Sequence, residues 1–471
     1  MKIFNRLSDT FEDIGTTEDN KIRIYVCGIT VYDDCHIGHA RTIVIFDVLR
    51  RYLNHKGKEL VYVQNFTDVD DKIINRAKSD GKSAVEISSK YIKSYFDDFS
   101  KLNVLNADFY PKATDHINEI IEAIKILSEK NYTYTTTNGI YFRVRSFPGY
   151  GKLSKKRVDE LEEGTRIEID NLKEDPLDFA LWKFSSDVPN WESPWGKGRP
   201  GWHIECSVMV SEFLGNEIEI HGGGTDLIFP HHENEIAQSE TFTDKKLAKV
   251  WMHVGMITIN SEKMSKSLRN MVLLKTALKK WGSNVLRLYL ISSQYSKPMD
   301  YNDEILQESL QKWRQIEHCI NELITTKNTT EDLGEFGDKC NSFLADFFSA
   351  LDTNLNTPLA LTTFMKLVSY VNNLSSSEKL TIQMANKALP ILDTIMDIIG
   401  LRIIKVDNDT KVQIEQMIEE RNNLRVEKKF QEADILRKKI LELHDVELTD
   451  HVNYTSWKKK EIIEFESQHD G

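Results

Sequence analysis

Three groups of residues carry types and spacings that could do chemistry. The first is His36-Ile37-Gly38-His39, placed where an apolar run gives way to a helical pattern. At such a junction backbone N–H groups are unpaired and the helix dipole favours an anion. Gly38 lacks a Cβ, so a planar or bulky ligand can approach the backbone, and two imidazoles can donate to phosphate oxygens. This suits the α-phosphate of ATP, although a bare His-x-Gly-His equally describes a helix start with two surface histidines. The second group is Asn260-Ser261-Glu262-Lys263-Met264-Ser265-Lys266-Ser267. Two lysines three apart on a serine-flanked loop could bracket a leaving pyrophosphate, and taken alone they make an ordinary charged loop. The third is a set of soft and borderline donors. Pro230 at a helix start puts His231 and Glu235 at i and i+4 on one face. With Cys27 and Cys206 they form a donor set acceptable to Zn²⁺. The ligands lie in three segments, His232 with Glu235 is a competing i, i+3 pair, and a lone cysteine is often only core.

The elements that must position these groups follow from periodicity. Ile22, Ile24 and Val26 mark a buried strand, Ala40–Tyr52 a helix, and Glu59–Gln64 a second strand ending in Asn65-Phe66-Thr67-Asp68-Val69-Asp70-Asp71. Helices are expected over Asp71–Lys78 and Ser83–Leu102. This β-α-β-α order predicts a parallel sheet with ligands at the carboxyl ends of its strands, where Cys27, His36 and Thr67 fall. The acids after Thr67 could hold a metal but suit helix caps and loop ordering better. Ile117–Glu129 reads as an amphipathic helix, followed by a hairpin turning at Asn138-Gly139. Residues of about 115–195 show no parallel-sheet pattern and read as an insertion. The α/β pattern returns with Gly201–Cys206, a helix to Leu214, a strand Glu217–Ile220 and then His221-Gly222-Gly223-Gly224-Thr225-Asp226. The glycines let the backbone approach a ligand, and the aspartate could accept from ribose hydroxyls. A strand Met252–Ile259 precedes the lysine loop. From about 300 onward the chain is helical: Glu304–Leu323, Cys340–Leu351, Pro358–Leu374, Ile382–Ile399 and Asp407–Leu443.

Composition describes an ordinary globular protein: 471 residues, 40% hydrophobic, 28% charged, enough for three or four domains. No run of about 18 apolar residues exists and the N-terminus lacks an apolar signal core, so no membrane or secretion step is expected. The five cysteines are odd in number and scattered, which argues against a disulfide framework and suits a reducing cytoplasm. The net charge of −12 speaks mildly against nucleic acid, yet Arg421–Lys439 holds seven Lys or Arg against three acids.

His-Ile-Gly-His paired with Lys-Met-Ser-Lys-Ser more than 200 residues downstream looks like the two signatures of class I aminoacyl-tRNA synthetases. The stretches YVCGITVYDDCHIGHAR, NFTDVDDKI, GRPGWHIECS, HGGGTDLIFPHHENEIAQSE and KMSKSLRN resemble bacterial-type cysteinyl-tRNA synthetases, collinearly over nearly the whole chain. The resemblance implies an α/β, Rossmann-type catalytic domain (residues 1–115 and 196–260) with a connective insertion (116–195). It further implies a KMSKS loop and junction (261–310), a helical bundle (311–400) and a small anticodon-binding domain (401–471). It implies one Zn²⁺ per chain on Cys27, Cys206, His231 and Glu235, joined by the substrate's sulfur. Thr67, Trp202 and His221 match the amino-acid pocket. His36, Gly38, His39, Gly223, Asp226 and Lys266 match the ATP site, with Lys263 assisting. His36, His39, Lys263 and Lys266 would carry catalysis. L-cysteine, ATP with Mg²⁺ and cysteine tRNA are the implied partners, for a cytoplasmic monomer. Arg421, Arg425, Lys428, Arg437 and Trp457 are the candidates for tRNA contact. An apolar pocket separates near-isosteres by only ~10–200-fold, whereas zinc takes a thiolate far better than a hydroxyl, so an editing domain is unnecessary. One departure stands out: Arg269 replaces the glycine that usually follows this loop. Rival classes are a cysteine-activating paralogue with an amino-sugar acceptor, a non-catalytic tRNA-binding paralogue, and a small nucleotidyltransferase.

Overall fold

The computed structural model describes residues 1–15, 21–157, 160, 172–264, 268, 270–329, 334–403, 408–450 and 455–459. They divide into one unit of residues 1–274, 294–300 and 352–355, and a second of 275–293, 301–351 and 356–471.

The first unit begins with an antiparallel pair, Lys2–Asn5 (β1) and Thr10–Asp13 (β2). The expected buried strand is Lys21–Thr30 (β3), whose Ile22, Ile24, Tyr25 and Val26 are fully buried. It leads into Ile37–His55 (α1), then Glu59–Thr67 (β4), Asp71–Asp80 (α2) and Ala84–Lys101 (α3). Asp70 caps α2, and Ser83 with Glu86 forms a capping box on α3. Asp68 meanwhile receives the Thr114 N–H and hydroxyl. The acids after Thr67 that are engaged this way serve caps and loop ordering.

Ile117–Glu129 (α4) buries five isoleucine and leucine side chains at helical spacing against an antiparallel sheet. That sheet runs Thr133–Thr135 (β5), Gly139–Phe142 (β6), Phe179–Phe184 (β7) and Gly198–Pro200 (β8), in that order. The hairpin turns one residue earlier than expected, because Gly139 already pairs within β6. A Cβ there would lie 2.1 Å from the Trp182 carbonyl oxygen, so this glycine serves strand packing.

The chain then returns through Trp202–Leu214 (α5), Ile218–Gly224 (β9), Glu233–Thr243 (α6) and Ala248–Val254 (β10). The parallel sheet has the order β10-β9-β3-β4. β4 lies on one side of β3 and the returning strands on the other. The β3/β9 boundary is therefore the topological switch point, where a crevice opens at the carboxyl ends. β9 runs through the three glycines and does not end before them. Phe46 of α1 packs against Gly222, where a Cβ would lie 2.0 Å from the ring. The single strand expected over Met252–Ile259 divides into β10 and Ile257–Ile259 (β11). The break is at Gly255-Met256, where the buried Arg41 guanidinium donates to the carbonyls of both residues and to those of Gln294 and Lys297. β11 pairs with Glu262–Lys263 (β12).

The second unit is mainly helical. Leu274–Trp281 (α7) and Ser283–Leu290 (α8) are followed by Asp303–Thr325 (α9), Phe336–Asp352 (α10), Thr357–Ser376 (α11) and Ile382–Ile399 (α12). Their apolar stripes form a bundle core that includes Leu310, Trp313, Phe347, Phe364 and Leu392. The long helix expected over 407–443 is two, Asn408–Val426 (α13) and Phe430–His444 (α14). The chain breaks at Glu427–Lys429, where Lys428 adopts φ of 62°. A hairpin of Val446–Asp450 (β13) and Thr455–Lys459 (β14) packs on these two helices. Among the described residues no helix is long and apolar enough to cross a membrane.

Candidate metal centre and nucleotide site

The strand β3 carries Cys27 to the switch point. Its ladder with β4 is irregular between Val26 and Ile29, and Gly28 N–H bonds Asn65 Oδ1 at 2.8 Å. A Cβ on Gly28 would sit 1.7 Å from the Asn65 carbonyl oxygen, so only glycine permits this bend. α5 brings Cys206 to the same point, and the turn before α6 brings His231 and Glu235. Cys27 Sγ lies 3.8 Å from Cys206 Sγ and 3.2 Å from Glu235 Oε1, and His231 Nε2 lies 3.0 Å from that same oxygen. All four side chains are at most 9% exposed.

The donor atoms of Cys27, Cys206, His231 and Glu235 lie within 4.8 Å of one another, and so do those of Cys27, His221, His232 and Glu235. His221, expected in the amino-acid pocket, thus reaches the cluster itself: Nε2 is 3.5 Å from Cys27 Sγ and 3.3 Å from Glu235 Oε2. The donor chemistry separates the two sets. Two sulfurs, one imidazole and one carboxylate match the preference of zinc, and Glu235 Oε2 accepts no well-directed hydrogen bond. His231 Nδ1 is held by His203 Nδ1 at 2.9 Å, which fixes the ring with Nε2 toward the cluster. His232 is turned by His253 (2.8 Å). The four residues fit a zinc ion.

Protons partly substitute for a cation in this cluster. Burial alone would lower the His231 imidazolium, but Glu235 and Cys206 against it raise its pKa to about 10. Burial likewise pushes Cys206 up, yet the Cys27 hydrogen bond and His231 bring it to about 6. Cys27 is pushed well up by burial and by the neighbouring Cys206. Cys35 is buried too and belongs to neither donor set.

The nucleotide-type signature sits beside the crevice. His36 is the N-cap of α1, and its Nδ1 accepts from the N–H groups of Gly38 (3.1 Å) and His39 (3.3 Å). His39 Nδ1 accepts from His36 N–H at 3.5 Å, and the rings stack with centroids 3.6 Å apart. The free amides expected at this helix start are thus capped by the histidines. An imidazole that accepts through Nδ1 carries its proton on Nε2, so both rings are in the donating tautomer. Met264 folds over Gly38, where a Cβ would be 3.1 Å from its Cε and 2.9 Å from His36 Nδ1. The segment after the lysine loop is zipped to the same place: Ile37 N–H bonds Val272 O, and Leu274 N–H bonds Cys35 O. The two signatures therefore meet. Lys263 is placed by its backbone in β12; Lys266 and Arg269 lie outside the described residues.

Thr67 is buried at the end of β4, and Trp202 stacks on His231 at 4.2 Å. A Cβ on Gly223 would meet His232 Cε1 at 3.0 Å, and Asp226, exposed in the turn after β9, folds its carboxylate over Gly224. Sequence reasoning missed His203, His253 and Trp251, whose indole stacks on His221 at 4.4 Å. A histidine within the apolar run of β10 was the one available sign.

In the second unit the basic residues divide. Arg421 is 2% exposed and forks onto Asp450, so it belongs to the interior and not to an exposed basic face. Arg425 and Arg437 also pair with Asp450, Lys428 is exposed, and Trp457 packs on a core of Ile414, Ile418 and Ile440.

Residues 13–311 match the family described as tRNA synthetases class I (C) catalytic domain. A cysteine–tRNA ligase of Carboxydothermus hydrogenoformans is 44% identical over 98% of this chain and all of its own length. The chain belongs to the cysteine–tRNA ligases. Another family member, from Aquifex aeolicus, is 42% identical over 98% of the chain and 99% of its own. Among solved structures, the methionyl-tRNA synthetase of Mycobacterium tuberculosis in complex with methionyl-adenylate shares the fold. It has a TM-score of 0.58 at 13% identity, covering 81% of this chain and 89% of the other. The α/β class I architecture expected from the cysteine–tRNA ligase signatures is the one observed.

Proposed function

We propose that the chain activates L-cysteine with ATP to cysteinyl-adenylate, releasing pyrophosphate, and transfers the cysteinyl group to the 3′ end of cysteine tRNA. The observation that carries this reading is the convergence of Cys27, Cys206, His231 and Glu235 at the switch point, in a chain that stacks His36 on His39 at the start of α1.

Cys27, Cys206, His231 and Glu235 would hold one Zn²⁺ per chain. Bound there, zinc supplies a Lewis-acid site that accepts a thiolate and rejects a neutral hydroxyl, which selects cysteine over serine. The residues around it bind and orient the amino acid: Thr67 and Trp202 line the pocket, and His221 stands between it and the donors. The substrate carboxylate is already anionic, so its attack on the α-phosphorus needs positioning and charge stabilisation more than a general base. His36 and His39 donate through Nε2 to the α-phosphate of ATP. Gly38 leaves room for the nucleotide, Gly223 and Asp226 face the adenosine, and Mg²⁺ accompanies the phosphates. Lys266, assisted by Lys263, neutralises the leaving pyrophosphate.

Residues 1–115 and 196–260 serve as the catalytic halves, 116–195 as the connective insertion, 261–310 as loop and junction, 311–400 as the bundle and 401–471 as the anticodon reader. There Arg425, Lys428, Arg437 and Trp457 remain the candidates for contact with tRNA. Five unpaired cysteines suit a cytoplasmic enzyme, here taken as a monomer. The test joins metal analysis of the purified protein to cysteine-dependent ATP–pyrophosphate exchange and charging of cysteine tRNA. Full zinc content with serine activated as well as cysteine would overturn the reading.

A further inference from the structure

Glu205 lies one residue before Cys206 on α5, fully buried, and neither of its carboxylate oxygens has a hydrogen-bond partner. Its neighbours do not compensate for that. They are the Thr67 hydroxyl, which makes no hydrogen bond of normal geometry to it, the Cys206 sulfur, and the carboxylates of Asp68 and Asp70. Asp68 is occupied by Thr114, and Asp70 caps α2 through Lys72 N–H. Among the described residues, no arginine, lysine or histidine forms an ion pair with Glu205. A buried carboxylate without partners is costly, and groups left in that state call for a ligand that satisfies them. A cationic group on a bound ligand would satisfy it.

L-cysteine brings one. Its thiol and carboxylate have destinations in the reading above, at the donor cluster and at the α-phosphorus, but its ammonium has none. Thr67 and Cys206, two of the side chains that bound the pocket, are both among the neighbours of Glu205.

We propose that Glu205 is the residue that receives the α-ammonium group of the substrate and so selects an α-amino thiol over a simple thiol. The inference rests on the pocket assigned in the proposed function. On this view the ammonium closes the open valences of Glu205 and holds the third corner of the amino acid, fixing the direction from which its carboxylate meets ATP. Glu205 is thus a binding and positioning residue, whereas Asp68 already accepts from Thr114 through both oxygens and Asp70 accepts from Lys72 N–H.

The test uses the zinc-loaded full chain and three probes: L-cysteine, cysteamine (thiol and ammonium) and 3-mercaptopropionate (thiol and carboxylate, no ammonium). In Glu205→Gln, L-cysteine and cysteamine should each bind roughly 30-fold more weakly, while 3-mercaptopropionate changes by less than about two-fold. Zinc content and the KM for ATP should stay at the starting values, and Glu205→Asp should recover part of the L-cysteine affinity. Unchanged L-cysteine binding in Glu205→Gln overturns the proposal. So does equal weakening of all three probes, loss of zinc, or an aspartate variant no better than the glutamine one, since each marks a merely structural carboxylate. Cys206→Ala tests the pocket separately. If that variant loses zinc yet binds all three probes as before, the pocket assignment fails, and Glu205 loses its basis for a reason distinct from its own variants.

Discussion

Loading the metal-free protein with zinc at pH 7 should expel about two protons per ion, because ligands bind metal only in their deprotonated forms. The count follows from the state of each donor. Cys27 holds its proton, since burial and the adjacent Cys206 push its thiol well up. His231 holds one as well: burial works against the charge, but Glu235 and Cys206 raise it to about 10. Cys206, brought to about 6 chiefly by the Cys27 hydrogen bond against the opposing effect of burial, is already mostly thiolate. Glu235 is kept ionised against burial by His221 and His231. Zinc must therefore displace the protons of Cys27 and His231. Its affinity should climb about 100-fold per pH unit near neutrality, and more steeply below pH ~6 as Cys206 takes up a third proton. Calorimetric titration in buffers of different ionisation enthalpy measures the number directly. The rival donor set omits His231, so the proton held by that ring would stay in place when zinc binds. A measured release of one or none would remove His231 from the ligand set. A corollary concerns the metal-free fold. The raised His231 value contributes stability that is present below its ordinary pKa of ~6.5 and is lost as pH rises through the folded value.

Other consequences are as direct. Gly222→Ala should lower stability by about 1–3 kcal/mol in urea unfolding, since the new methyl would lie 2.0 Å from Phe46 Cζ. Adding Phe46→Leu should restore part of that loss, and strictly additive effects would show that the two side chains do not meet. Asp450→Asn should destabilise the fold of α13, α14 and their hairpin by about 1–3 kcal/mol, because it leaves the buried Arg421 without its counter-ion while the site of Asp450 itself is partly solvated. Hydrogen exchange over 408–459 would report it, and unaltered protection would refute it. Arg421 holds the Asp450 carboxyl well below the usual range, so this stabilisation is present above pH ~3.9 and fades as pH falls through the folded value. Lys266→Ala should slow pyrophosphate exchange by the equivalent of roughly 2.7–4 kcal/mol while tRNA affinity holds. Near-normal exchange would take Lys266 out of the chemistry.

Local pattern revealed elements and little of their company. The alternation in Ile22, Ile24 and Val26 and the stripe of α1 are properties of short windows, so β3, α1, β4 and the bundle helices were legible. What failed depended on a distant partner. Gly139 reads as a turn glycine, but its reason is the Trp182 carbonyl across the sheet. The strand Met252–Ile259 looks continuous until Arg41 claims the carbonyls at its middle. Arg421 reads as part of an exposed basic run because nothing nearby announces that Asp450, beyond α14, draws it inside, while Arg425 and Arg437 pair with the same carboxylate and stay exposed. The donor set was legible mainly through family likeness, since Cys27 and Cys206 are isolated in sequence. The supporting histidines 203 and 253 gave almost no local signal, for their role exists only once β10 and α5 have closed on the turn before α6.

The strand order has a consequence for how this chain is made. On a ribosome β3 emerges early and can pair with β4 at once, but its other edge must wait for β9, as Ile24 lies opposite Ile220. At 5–20 residues per second that edge stands open for roughly 10–40 s. During this interval a largely apolar strand shows unpaired N–H and C=O groups to its surroundings, the condition in which strands add to foreign chains. Cys27 waits for the same span, a solitary thiol until Cys206 and α6 arrive. The vulnerable period in the life of this molecule is therefore set by topology and elongation rate, and slowing translation between residues 67 and 218 should lengthen it in proportion.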